Sequence, residues 1–247
     1  MALVWSKKLS GQHYEVRSAG KTLRLYTNGI FHSQWNPNKR LSGHLWDLLS
    51  LPLLLKPDIT ECNRILMLGV GGGAAINCLS SILPSAKIEG VDLDSTHLHI
   101  AQKYFSCSGD NIQLFNDDAY NFVRKDTVKY DLVIDDIFSG SENDESDPRR
   151  AIEFNTDWLS KIDFRLNRKG VLVANFEDEK QAKKACSLAR NSNFPSRYIF
   201  SSRLYENRIC AFLKEQTTLR NFKKNLSDTL NLKEQKLIED NFSIRRL

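Results

Sequence analysis

From Asn63 onward the sequence alternates between short apolar runs and helical stretches, and this rhythm constrains the fold more than any other feature. Arg64–Leu68, Lys87–Val91, Ile112–Phe115, Tyr130–Ile134 and Gly170–Asn175 read as strands. Between them, Ala74–Leu83, a stretch capped by Ser95 and reaching Phe105, Ala119–Lys125, Ile152–Leu166 and Asp178–Arg190 read as helices. Strands that are apolar on both faces and joined through helices pack as a mainly parallel sheet covered on both sides. The expected fold is a doubly wound, Rossmann-like α/β domain. Arg197–Ser201 and Ile209–Lys214 follow as an antiparallel pair.

The segments on either side differ in character. In residues 1–56, His13–Ser18, Thr22–Thr27 and Ile30–Trp35 are β-like runs separated by Ala19-Gly20 and Asn28-Gly29. Asn-Gly between two such runs is a strong hairpin signal. A helix over Leu41–Leu55, capped by Ser42, is expected to end at Lys56 because Pro57 follows. Residues 57–214 carry the α/β rhythm. Residues 215–247 read as a basic helical tail ending in Arg245-Arg246, either a solvated appendage or a docking surface for a partner or nucleic acid. The polar stretch Ser139–Arg150 has no periodicity and is long for a connection, which predicts a lid or a disordered loop.

Composition narrows the class. With 41% hydrophobic and 26% charged residues, the 247-residue chain has the profile of a soluble globular protein. No apolar run reaches the roughly 18 residues of a membrane span, and Met1–Ser10 lacks the apolar core of a signal peptide. The five cysteines are scattered, with no CxxC, so neither a disulfide framework nor a metal site is expected. These readings predict a cytoplasmic protein. A net charge of +5 and the basic tail leave nucleic acid open as a partner.

The chemistry concentrates in Ile65–Ala75, ILMLGVGGGAA. A strand ends, a glycine-rich turn follows, and a helix begins near Ala74. Gly69, Gly71 and Gly73 allow positive φ and close approach to a ligand, and amides at a helix start can donate to it. Asp92 ends the next strand, where a carboxylate can accept ribose hydroxyls. Asp118, followed by Ala119, comes just after the third strand, where it can accept from an adenine amine or simply cap the next helix. The fourth strand ends in Asp135-Asp136. Adjacent strand residues point to opposite faces, and Asp136, the one leaving the strand, is the candidate to orient or deprotonate a nucleophile.

Taken together, the N-terminal hairpins, the glycine loop, the acidic strand end, the Asp-Ala pair and YDLVIDD resemble the spermidine/spermine synthase family, from about Leu23 to Leu213. The resemblance implies a methyltransferase-type Rossmann fold and a pocket for S-adenosylmethionine or its decarboxylated form. Gly69, Gly71 and Gly73 would line that pocket, Asp92 would hold the ribose, Asp118 and Ala119 would meet the adenine, and Asp136 would be catalytic. Family analogy also implies a homodimer.

Three departures stand out. Gly72 replaces an aspartate among the glycines, Ser139-Gly140 replaces an Asp-Pro pair, and His44-Leu45-Trp46 replaces a Tyr-His-Glu signature. These positions serve the diamine end of the family's pocket, so their loss argues against putrescine as the acceptor. His32, Trp35 and His44 are candidate acceptor-pocket residues. The expected function is methyl or aminopropyl transfer to an acceptor left open. A non-catalytic nucleoside-binding scaffold and an NAD-dependent oxidoreductase are the alternatives.

Overall fold

The computed structural model describes residues 1–139 and 148–247. Four N-terminal strands, β1 (Ala2–Leu9), β2 (Gln12–Ala19), β3 (Thr22–Thr27) and β4 (Ile30–Trp35), form an antiparallel sheet in chain order. Asn28 and Gly29 both take positive φ, 51° and 80°, as the tight turn between β3 and β4 requires. Strand β1 is an addition to the expected hairpins. It is an exposed outer strand whose residues, apart from Trp5, face solvent, so it carries no buried alternation.

The expected helix over Leu41–Leu55 is shorter and broken. α1 spans Leu45–Ser50, and Leu51–Leu55 continues as a fully buried 3₁₀ turn containing Pro52. Ser42 does not cap it. Instead, the Asp47 carboxylate accepts from the amides of Ser42 (2.8 Å) and Gly43 (2.6 Å) and from the Ser42 hydroxyl (3.1 Å).

The central sheet contains β5 (Arg64–Leu68), β6 (Lys87–Asp92), β7 (Ile112–Asn116) and β8 (Tyr130–Asp135). The helices α2 (Ala74–Ile82), α3 (Ser95–Tyr104) and α4 (Ala119–Lys125) connect them. Asp94, one residue before the expected Ser95, caps α3. Two-residue strands β9 (Phe138–Ser139) and β10 (Arg149–Arg150) pair at the ends of the polar stretch, whose residues 140–147 lie outside the described residues. The remaining elements are α5 (Thr156–Arg165), β11 (Leu166–Phe176), α6 (Glu179–Leu188), β12 (Ser196–Ser202), β13 (Arg208–Leu213), α7 (Leu219–Thr229), α8 (Leu232–Asn241) and β14 (Phe242–Arg246).

The strand order is β14-β12-β13-β11-β8-β5-β6-β7. The five strands from β11 to β7 are parallel, and β13, β12 and β14 join antiparallel. The doubly wound sheet and its antiparallel ending are therefore as expected. Alternation along β5 explains the two layers. Ile65 and Met67 enter a core with α1, α2 and α7, while Leu66 and Leu68 enter a second core with α4, α5 and α6.

The C-terminal segment is not a solvated appendage. Phe222, Leu226, Leu230 and Ile238 belong to the first core, and Asn225 donates to the carbonyls of Leu54 (3.0 Å) and Lys56 (2.7 Å). β14 extends the sheet beyond β12, and Arg245 pairs with Glu179 at 2.6 Å. No helix of the described residues is long and apolar enough to cross a membrane.

Candidate active site

The chain runs outward from β5 through β6 to β7, then returns to place β8 on the other side of β5. Ligands bind open α/β sheets at this reversal, beyond the carboxyl ends of the strands. The loops after β5, β6, β7 and β8 meet there, and they carry Gly69–Gly73, Asp92, Asp118 and Asp136.

The glycine loop is fixed by close approaches. Gly69 has φ of +85°, and a Cβ on it would lie 2.2 Å from the Asp136 carbonyl oxygen, so only glycine lets the ends of β5 and β8 touch. Gly73 has φ of +76°, and its Cβ would lie 2.5 Å from Cys107 Sγ. Gly71 also takes positive φ, beside the His32 carbonyl of β4.

Asp92 does something the sequence did not reveal. Its Oδ2 accepts from the amides of Val70 (2.8 Å) and Gly71 (2.9 Å), and its Oδ1 accepts from the Asp94 amide (2.9 Å). The carboxylate thus grips the glycine loop across the strand ends. A carboxylate offers about four lone-pair sites, so three protein bonds leave room for about one more donor. Asp118 is the N-cap of α4, accepting from the Asn121 amide at 2.8 Å, and Ala119 is the buried first residue of that helix.

The adjacent aspartates at the end of β8 have separate surroundings. Asp135 is fully buried, paired with Arg150 at 2.6 Å and accepting from Trp158 Nε1 at 2.8 Å. Asp136 lies on the other side, where Oδ1 accepts from Asn175 Nδ2 of β11 at 2.7 Å. Asn175 Oδ1 in turn accepts from Asn207 Nδ2 at 3.1 Å. Burial is the main cause that raises the Asp136 carboxyl to about 7. The Asn175 bond opposes the rise, the neighbouring charge of Asp135 adds to it, and Arg150 opposes it. Arg150, Trp158, Asn175 and Asn207 were not singled out from sequence. Asn175, a polar residue ending an apolar strand, is the one that left a signal.

A family model for the spermine/spermidine synthase domain matches residues 47–226. The chain belongs to that family. A polyamine aminopropyltransferase from Vibrio vulnificus is 30% identical over 116 residues, covering 45% of this chain and 37% of that protein. An eEF1A lysine and N-terminal methyltransferase homolog from Drosophila melanogaster is 33% identical over 79 residues, covering 30% of this chain and 12% of that protein. The chain therefore spans well under half the length of these relatives. A probable spermidine synthase from Corynebacterium glutamicum has the same fold, with a TM-score of 0.74 at 16% identity over 92% of this chain and 87% of that one.

The three candidate acceptor residues of this family member separate in space. His44 Nδ1 bonds the Tyr205 hydroxyl at 2.7 Å, in the same loop as Asn207, and burial lowers its pKa. Around it, Trp46 packs edge-on to Phe31 at 4.8 Å and Arg24 lies 5.5 Å over the Phe31 ring. His32 sits 5.0 Å from His97, itself 4.0 Å from Asp92, and burial pushes its ring down to about 3. Trp35 is elsewhere. It lines a cleft of about 440 Å³ with Asn36, Arg40, Asn77 and Glu234 that also reaches Ala74 at the start of α2, while none of Asp92, Asp118 and Asp136 lines it.

Proposed function

We propose that this chain is a transferase that binds S-adenosylmethionine or its decarboxylated form and passes a carbon group to a nucleophile other than putrescine. The observation that carries the reading is the bonding of Asp92 to the glycine-loop amides. A dinucleotide needs such amides for its pyrophosphate. Here two of them already hold a carboxylate, whose charge repels a diphosphate and attracts a sulfonium cation. The residues present fit a sulfonium nucleoside.

In this reading Gly69, Gly71 and Gly73 keep the loop close to the ligand, and Asp92 accepts one ribose hydroxyl through the remaining capacity of its carboxylate. Asp118 and Ala119 meet the adenine at the start of α4. When bound, the sulfonium nucleoside supplies an electrophilic carbon. Asp136 acts on the acceptor. With its carboxyl at about 7, it can take a proton from an attacking amine near neutral pH, and Asn175 holds its orientation. Both relatives, an aminopropyltransferase and a methyltransferase by name, agree with group transfer. His44 and Tyr205 border the acceptor side.

Calorimetric titration tests this. Methylthioadenosine is expected to bind the full chain and to lose at least about 10-fold in affinity in Asp92→Ala. Binding of NAD with no binding of methylthioadenosine would overturn the transferase reading.

A further inference from the structure

The edge of the sheet opposite the candidate active site carries a cleft of about 480 Å³, a volume in the range of small-molecule sites. The starts of β11 and β12 and the end of β13 meet there with the turn that follows α6. Arg168 and Asn175 stand about 20 Å apart along β11, so the cleft is separate from the site at the carboxyl ends of the parallel strands. Arg168, Arg190, Arg197 and Lys214 line it, and among the described residues no acidic side chain does.

The charges in and beside the cleft are compensated unevenly. Lys214 pairs with Asp163 at 2.7 Å, and Lys169, next to Arg168 in the chain, pairs with Glu61 at 2.9 Å. Arg168, Arg190 and Arg197 have no carboxylate partner among the described residues. Arg190 follows α6, where the helix dipole favours a cation. No such field explains Arg168 and Arg197, which reach the cleft from two different strands. The Arg197 guanidinium is also held in place, because Nη1 donates to the carbonyl of Phe194 at 2.9 Å and Phe194 is fully buried. Guanidinium groups that converge on a concavity without a counter-charge repel one another and raise the local positive potential. An anion relieves both effects, and planar forks arriving from several directions match the oxygens of a phosphate.

We propose that this cleft is a phosphate-binding site for a compact phosphoryl anion, a phosphate monoester or diphosphate carried by a small molecule. Its borders favour a compact ligand. Glu61 and Asp163 neutralise the cations beside the cleft, so on those sides the free positive charge stops at its rim, whereas a nucleic-acid backbone follows an extended basic track. The site stands independently of the sulfonium-nucleoside reading and gives the chain a second ligand, bound at the opposite edge of the sheet.

Titration calorimetry of the full chain at physiological salt tests this, with inorganic pyrophosphate as the probe and a single-stranded RNA oligonucleotide in a parallel arm. Pyrophosphate is expected to bind, and Arg168→Gln and Arg197→Gln are each expected to weaken it by about 10-fold, the scale of a charge-assisted hydrogen bond. Lys8→Gln removes one charge from the exposed strand β1 and is expected to leave the affinity within about 2-fold, because salt screens distant charges. Without ligand, both arginine variants are expected to melt at or above the temperature of the parent chain, since each removes a like charge from the cleft. That melting temperature shows that a lost affinity is not lost folding. RNA is expected to bind no tighter than pyrophosphate. Pyrophosphate binding that is absent at millimolar concentration, that survives both arginine variants, or that Lys8→Gln weakens equally would overturn the site. RNA that binds more tightly than pyrophosphate and weakens in the same variants would make the cleft part of a nucleic-acid surface and overturn the compact ligand.

Discussion

Replacing Asp136 with asparagine is expected to stabilise the protein above pH 7 while stopping transfer. In the folded chain, burial raises the Asp136 carboxyl from its ordinary value of 3.8 to about 7. Below pH 4 the folded and unfolded states both carry the proton, and the site costs nothing. Between 4 and 7 the unfolded chain ionises while the folded one holds its proton, so stability falls as pH rises. Above 7 both states are ionised and the penalty is constant. The gap between 3.8 and about 7 corresponds to an upper limit of about 4 kcal/mol, and residual solvent access reduces the expected effect to roughly 2 kcal/mol. Asparagine keeps an oxygen for the Asn175 amide and never ionises. Urea unfolding of both proteins at pH 5 and pH 8 is therefore expected to show a difference that grows with pH in favour of Asp136→Asn. If the variant is less stable at pH 8, or if the difference is the same at both pH values, the reasoning about this carboxyl is wrong.

Other perturbations probe what holds the site together. Gly69→Ala forces a Cβ to within 2.2 Å of the Asp136 carbonyl at a φ of +85°. It is expected to cost about 2 kcal/mol or more in thermal unfolding and to abolish nucleoside binding; an unchanged melting temperature would contradict the close approach. Arg150→Leu leaves Asp135 as a buried charge with Trp158 as its remaining partner among the described residues. It is expected to destabilise the fold by about 3–5 kcal/mol, and adding Asp135→Asn is expected to recover part of that loss. A single variant that unfolds like the parent protein would show that the pair is not buried.

The elements that could be read from sequence are those whose side chains report their own surroundings. Ile65–Leu68 alternates between two cores, Asn28-Gly29 needs two positive φ angles, and Ala119–Lys125 follows an aspartate cap. Their positions agree with the structure to within a residue or two. What stayed hidden depends on partners far along the chain. β1 is exposed and gives no alternation. β14 carries Arg245 and Arg246, but its strand state comes from pairing with β12, more than forty residues earlier in the register Ser201↔Ser243. The 3₁₀ turn at Leu51–Leu55 is held by α7, and an apolar run does not distinguish it from a helix.

The same limit holds for the candidate site. The glycines and the acidic strand ends were visible because each reflects local geometry. The hold of Asp92 on Val70 and Gly71 was not, nor was the link from Asp136 through Asn175 to Asn207, because both join strands adjacent only in the folded sheet. Trp35 stands apart from His32 for a related reason. At the end of the short strand β4 it lines a cleft with Asn77 and Glu234, while His32 stands beside His97.

The central claim is tested most directly by a crystal structure of the chain with methylthioadenosine. The ribose is expected against Asp92 and the adenine at Asp118 and Ala119, with the thioether end toward Asp136. Density for the nucleoside in the outer cleft beside Trp35 and Arg40, or NAD seated on the glycine loop in a parallel soak, would contradict it.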